Sequence, residues 1–119
     1  MIERSRTNDR MSQIVRHGGL IHLSGQVPSD TSDDIGAQTV SVLSKIEGLL
    51  IVARSSTSNV VSANIYLADM SDFAGMNAVW DTWFPPCAAP ARTCVEAKLA
   101  CSEVRVEITV IAAEQITKD

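Results

Sequence analysis

Residues 104–112, Val104-Arg105-Val106-Glu107-Ile108-Thr109-Val110-Ile111-Ala112, alternate their side chains with a period of two. That period belongs to a β-strand, where successive side chains point to opposite faces of a sheet. Val104, Val106, Ile108 and Val110 fall on one side, with Arg105, Glu107, Thr109 and Ile111 on the other. Residues 92–99 read the same way, setting Thr93, Val95, Ala97 and Leu99 against Arg92, Cys94, Glu96 and Lys98. Each strand therefore offers an apolar side to receive helices. Each also has a mixed side that must meet water or another subunit.

The segments upstream supply those helices. Residues 72–84 carry Phe73, Met76, Trp80, Trp83 and Phe84 at helical spacing, with Ser71 in the N-cap position. Pro85, Pro86 and Pro90 end that helix and stiffen the connection to the next strand. Residues 59–67 read as a strand after a turn at 55–58. Residues 35–53 gather Ile35, Val42, Leu43, Ile46, Leu49, Leu50 and Ala53 on one helical face, and the acidic loop before them suits a helix start. Two short strands, Gln13 to Arg16 and Leu20 to Leu23, flank Gly18-Gly19 as a hairpin, because glycine accepts the positive φ of a tight turn. The order is β-β-α-β-α-β-β, an α+β fold with a mixed sheet and two helices on one face.

Composition bounds the rest. A chain of 119 residues, 45% hydrophobic and 20% charged, is expected to form one domain over 1–119. Ten basic against fourteen acidic residues give a net charge of −4, which disfavours a protein built to grip phosphate backbones. No apolar run approaches the roughly 20 residues of a membrane span, and the charged residues 1–10 lack the apolar core of a signal peptide. Cys87, Cys94 and Cys101 lie seven apart, without the close pairs of a zinc site, so no metal is expected. Reduced thiols in a cytoplasmic protein are the plain reading.

Arg92 is the first candidate for chemistry. It follows Cys87-Ala-Ala-Pro90-Ala91, a stretch with no large side chain to cover it. A guanidinium held there can bind a carboxylate through two parallel hydrogen bonds; the plainer reading is a surface arginine in an ion pair. Glu107 stands on the polar side between Val106 and Ile108, where a carboxylate can orient a water, or else serve as a structural partner of Arg92, Arg105 or Lys98. Cys94 shares a strand face with Arg92 and, with no base nearby, reads as a packing residue lining a pocket. Asn77, at the edge of an aromatic stripe, must find a hydrogen-bond partner. His17 and His22 read as scaffold or surface residues.

Ser24-Gly25-Gln26-Val27-Pro28, the run from Asp72 to Trp80, Pro90-Ala91-Arg92-Thr93-Cys94-Val95-Glu96, and Val106-Glu107-Ile108 leading to Ile111-Ala112 occur in that order. Together they resemble the reactive intermediate deaminase (RidA/YjgF) family over nearly the whole chain. Arg10-Met11-Ser12-Gln13 points to a branch distinct from its best-known members.

The resemblance implies a homotrimer whose sheets line a central barrel with the helices outside, and sites in the clefts between subunits. It implies hydrolysis of 2-imino or enamine acids to 2-keto acids and ammonium, with no cofactor and no metal, while charge and apolar-run length argue for no nucleic acid and no membrane partner. By the same resemblance Arg92 clamps the substrate carboxylate and Glu107 positions the attacking water. Gly25 and Cys94 cradle the ligand, and Ser24, Asn77, Met11 and Trp80 complete the expected binding set. Met11 and Trp80 stand where tyrosines are common, so the pocket is more apolar and substrate choice is affected. Two alternatives remain: a non-catalytic module binding a small acid or acting as a regulator, and RNA cleavage or translation inhibition, as reported for relatives.

Overall fold

A computed structural model of the chain describes residues 1–31 and 34–115. Its elements run β1 (Glu3–Thr7), β2 (Ser12–His17), β3 (Leu20–Leu23), α1 (Ile35–Val52), β4 (Val60–Leu67), α2 (Phe73–Trp83), β5 (Ala91–Glu96) and β6 (Val106–Ala113). The strands form one sheet in the order β1-β2-β3-β6-β4-β5, antiparallel except where β5 joins β4 in parallel. The expected α+β mixed sheet is what forms.

One strand was not legible. β1, Glu3-Arg4-Ser5-Arg6-Thr7, pairs with β2 along the sheet margin, from Glu3↔Arg16 to Thr7↔Ser12. It buries none of its side chains fully, so it lacks the apolar alternation that betrays a strand. Charged side chains on an edge strand also oppose pairing with other chains.

α1 begins at Asp34, whose carboxylate accepts from the Ala37 N–H at 2.9 Å. By length and composition alone α1 is apolar enough to cross a membrane, a point on which the reading of apolar runs fell short. Its Val42, Leu43, Ile46 and Leu50 are nevertheless buried, and they join Ile21, Ile65, Leu67, Met76, Ile108 and Val110 in the core.

α2 does not start as expected. Ser71 lies in a short 3₁₀ turn, Met70–Asp72, and its backbone N–H donates to the Asp69 carboxylate at 2.8 Å. That hydrogen bond, the largest of the local causes, holds the Asp69 carboxyl below its ordinary range. Asp72 occupies the N-cap position without capping, because its two oxygens accept instead from Arg105 Nε at 3.0 Å and Nη2 at 2.9 Å. A buried carboxylate thereby ties the start of α2 to the approach to β6.

The two faces of β5 are reversed relative to the sequence reading. β4 buries Ala63, Ile65 and Leu67 under the helices, and the parallel register sets Arg92, Cys94 and Glu96 beside them. Thr93 and Val95 turn to the open face, where Val95 is 43% exposed. Hydrophobic alternation misleads on this edge strand because its register with β4, not its own composition, fixes which side meets α2. β5 also ends at Glu96, so Ala97, Lys98 and Leu99 lie beyond it. In β6 the expected faces hold: Val106, Ile108 and Val110 are buried, and Glu107 faces the open side.

Candidate active site

Arg92 is held from above by one face of α2. Phe73, Asn77 and Trp80 fall at i, i+4 and i+7 of that helix, a spacing that stacks them over β5. The guanidinium carbon of Arg92 lies 5.3 Å from the Trp80 ring centroid and 5.7 Å from that of Phe73. Its Nη1 donates to Asn77 Oδ1 at 2.7 Å. Trp80 is buried and braced by Phe84, whose ring centroid is 4.6 Å away. Among the described residues Arg92 makes no ion pair, so the plainer reading of it as a salt-bridge partner is not realised. One side of the guanidinium is thus spent on orientation, while Nε and Nη2 keep their donors.

Cys94 follows Arg92 on the same face, half-buried against the core. Desolvation pushes its thiol above the ordinary value, and the nearby Arg92 charge only partly offsets this. The half-buried thiol packs against the core.

Glu107 belongs to a different constellation. Gly25 lies against it: a Cβ built on Gly25 would collide with Glu107 Oε2, so the carboxylate rests on bare backbone. Among the described residues the Glu107 carboxylate has no hydrogen bond or ion pair, and Arg105, one of its suggested partners, is taken by Asp72. Ser24 hydrogen-bonds to Gln13 and Gln26. Met11, 38% exposed, closes the tight turn that begins at Asn8, its N–H donating to Asn8 Oδ1 at 2.9 Å.

The structure therefore brings Arg92, Asn77, Trp80 and Cys94 together, and separately Ser24, Gly25 and Glu107. It does not unite the two sets within one chain. Arg92 pairs across to Ala63 and Glu107 to Tyr66, on opposite faces of the sheet. Two strand spacings and three residues part them, roughly 14 Å in the plane of the sheet. A surface cavity of about 590 Å³ lined by residues 96–102 with Ala68 and Val104 contains neither. Sequence reasoning missed Phe73, treated as core yet half-exposed beside Arg92; its spacing from Asn77 and Trp80 was the available signal.

Known proteins match this chain over nearly its whole length. The family model described as Endoribonuclease L-PSP matches residues 1–114. A RutC family protein of Haemophilus ducreyi is 40% identical over 113 residues, covering 95% of this chain and 97% of its own. The RutC family protein YoaB of Escherichia coli is 38% identical over 104 residues, 87% of this chain and 90% of that one. Among solved structures, a YjgF family member from Neisseria meningitidis superposes with a TM-score of 0.95 at 43% identity, covering 98% of each chain.

Proposed function

The chain belongs to the Endoribonuclease L-PSP family, the grouping that also carries the names YjgF and RutC, and from that premise we propose that it hydrolyses 2-imino acids to 2-keto acids and ammonium. The observation that carries this reading is the caged guanidinium of Arg92, oriented by Asn77, Phe73 and Trp80 with two donor groups unspent. Those donors suit a carboxylate, which accepts two parallel hydrogen bonds from a guanidinium edge.

A small acid bound at Arg92 cannot reach Glu107 of the same chain, given the separation across the sheet. Two protomers can supply both groups if the β5 edge of one sheet, which carries Arg92, meets the open face of its neighbour, which carries Glu107. That face carries Val95, an exposed apolar side chain, beside Tyr66 and Thr109. The proposed assembly is the homotrimer, with Arg92 of one protomer facing Glu107 of a neighbour.

In the proposed reaction a water held at Glu107 attacks the imine carbon. The carbon–oxygen bond forms, the water's proton passes to the carboxylate, and the C=N electron pair moves to nitrogen. The nitrogen of the protonated imine, now a neutral amine, takes that proton back from Glu107. The carbinolamine then collapses, its hydroxyl proton passing to Glu107 as the carbonyl forms and the carbon–nitrogen bond breaks, and the departing ammonia collects this last proton as ammonium. Imines of this kind hydrolyse unaided, so orienting one water and one carboxylate is enough. A barrier lowered by about 3 kcal/mol corresponds to on the order of 10²-fold. No cofactor enters the scheme.

To test it, 2-iminopropanoate and 2-iminobutanoate are generated with an amino-acid oxidase and the residue is trapped with semicarbazide. Faster imine loss with the protein, abolished in Arg92→Ala, is the expected result. Rates equal to buffer across a panel of imines reject it, and saturable keto-acid binding without turnover would then favour the non-catalytic reading. RNA cleavage, the activity in the family's description, is disfavoured by the net charge of −4.

A further inference from the structure

The bend that supports Glu107 is itself clamped, and the proton directions within the clamp can be deduced step by step. Gln26 Nε2 is 3.1 Å from the Ser24 carbonyl oxygen, which can only accept, so this end of Gln26 is the donating amide nitrogen. The same nitrogen lies 2.8 Å from the side-chain amide of Gln13, which must therefore present its oxygen. Ser24 Oγ, 2.6 Å from that oxygen, must donate its only proton to it. Each orientation derives from the one before, starting at a backbone carbonyl.

Main-chain bonds close the arrangement. Ser24 N donates to Gln13 O at 3.0 Å, fixing the bend to β2. Gln26 exchanges both backbone hydrogen bonds with Ile108, at 2.9 and 3.1 Å, fixing it to β6 one residue from Glu107. Gly25 lies between these two anchors, and the Glu107 carboxylate occupies the space its side chain would fill. Gln26 is only 5% exposed, so its amide has little water to turn to if a partner is lost.

We infer that Gln13 and Gln26 are positioning residues, acting through Ser24 and Gly25 to hold the Glu107 carboxylate where it aims a water. The inference rests on the proposed role of Glu107, and the two can be separated. Neither glutamine contacts Arg92, so carboxylate binding should not change when they do.

The experiment compares Gln13→Leu, Gln13→Glu and Glu107→Gln in imine hydrolysis, with kcat and KM resolved and thermal midpoints measured in parallel. Gln13→Leu should lower kcat on the order of tenfold with KM held within about twofold, as a misplaced catalytic group does. Gln13→Glu, whose carboxylate accepts the same two hydrogen bonds, should recover most of the loss. A folded Gln13→Leu with wild-type kcat, beside an impaired Glu107→Gln, overturns the inference alone. A Glu107→Gln enzyme at wild-type rate overturns the role of Glu107 itself. Should Gln13→Leu not fold, Ser24→Ala removes both the proton donated to Gln13 and the oxygen that accepts from Gln26, and should show the same kcat-selective loss at a few-fold; an unchanged kcat there counts against the clamp.

Discussion

Arg92 and Glu107 project from opposite faces of one sheet, separated by the intervening strand β4 and three residues along it. A carboxylate-bearing imine a few ångströms long cannot touch both within a chain. On the proposed reading a complete site takes two copies, each giving what the other lacks.

Replacing Arg92 by lysine should be nearly as damaging as replacing it by alanine. The ammonium keeps the charge but loses the planar fork that stacks between Phe73 and Trp80 while donating to Asn77. A fall in kcat/KM of at least about 10²-fold is expected for both variants, with thermal midpoints close to wild type because Arg92 makes no ion pair among the described residues.

Asn77→Ala should leave the guanidinium charged but less well aimed. The loss of one charge-assisted hydrogen bond, about 1.5 kcal/mol, corresponds to a rise in KM of roughly tenfold with a smaller change in kcat. Steady-state kinetics on a single imine checks the split.

Gly25→Ala tests the seat of Glu107. The added Cβ falls on the carboxylate, so either Glu107 or the bend must move. A destabilisation of about 1–3 kcal/mol, together with a loss of turnover, is expected from denaturant unfolding and the imine assay.

Thiol reactivity should rank the cysteines by surroundings. Cys87 and Cys101 are exposed, whereas Cys94 is half-buried and burial raises its pKa. At about pH 8 a maleimide-type or disulfide probe should modify Cys94 last, since the thiolate is the reactive form. The sign also bears on stability. A folded-state pKa above the unfolded one means the folded chain binds the proton more tightly, so the contribution of Cys94 is intact below the ordinary thiol pKa and declines as pH rises through it.

Much of this could be read from the chain. The alternation in residues 104–112 and the aromatic spacing of α2 are driven by burial, which leaves its period in the sequence. β1 was invisible because it buries nothing, and the faces of β5 were inverted because an edge strand takes its orientation from its neighbour. Arg92 and Asn77 were legible one by one, and Trp80 through the family resemblance, but not their contact, since the inverted faces of β5 put Arg92 away from α2. The tie between Asp72 and Arg105 and the clamp of Gln13 on Gln26 were not, because nothing local announces a hydrogen bond between residues brought together only by the sheet.

The most direct measurement of a shared site is complementation between two inactive chains. Arg92→Ala and Glu107→Gln proteins are unfolded, mixed in equal amounts and reassembled. If one protomer gives the arginine and the next the glutamate, about a quarter of the interfaces regain both native groups, and the mixture recovers about a quarter of wild-type imine hydrolysis. A mixture no more active than its two parents, at the native oligomer mass, would contradict the account.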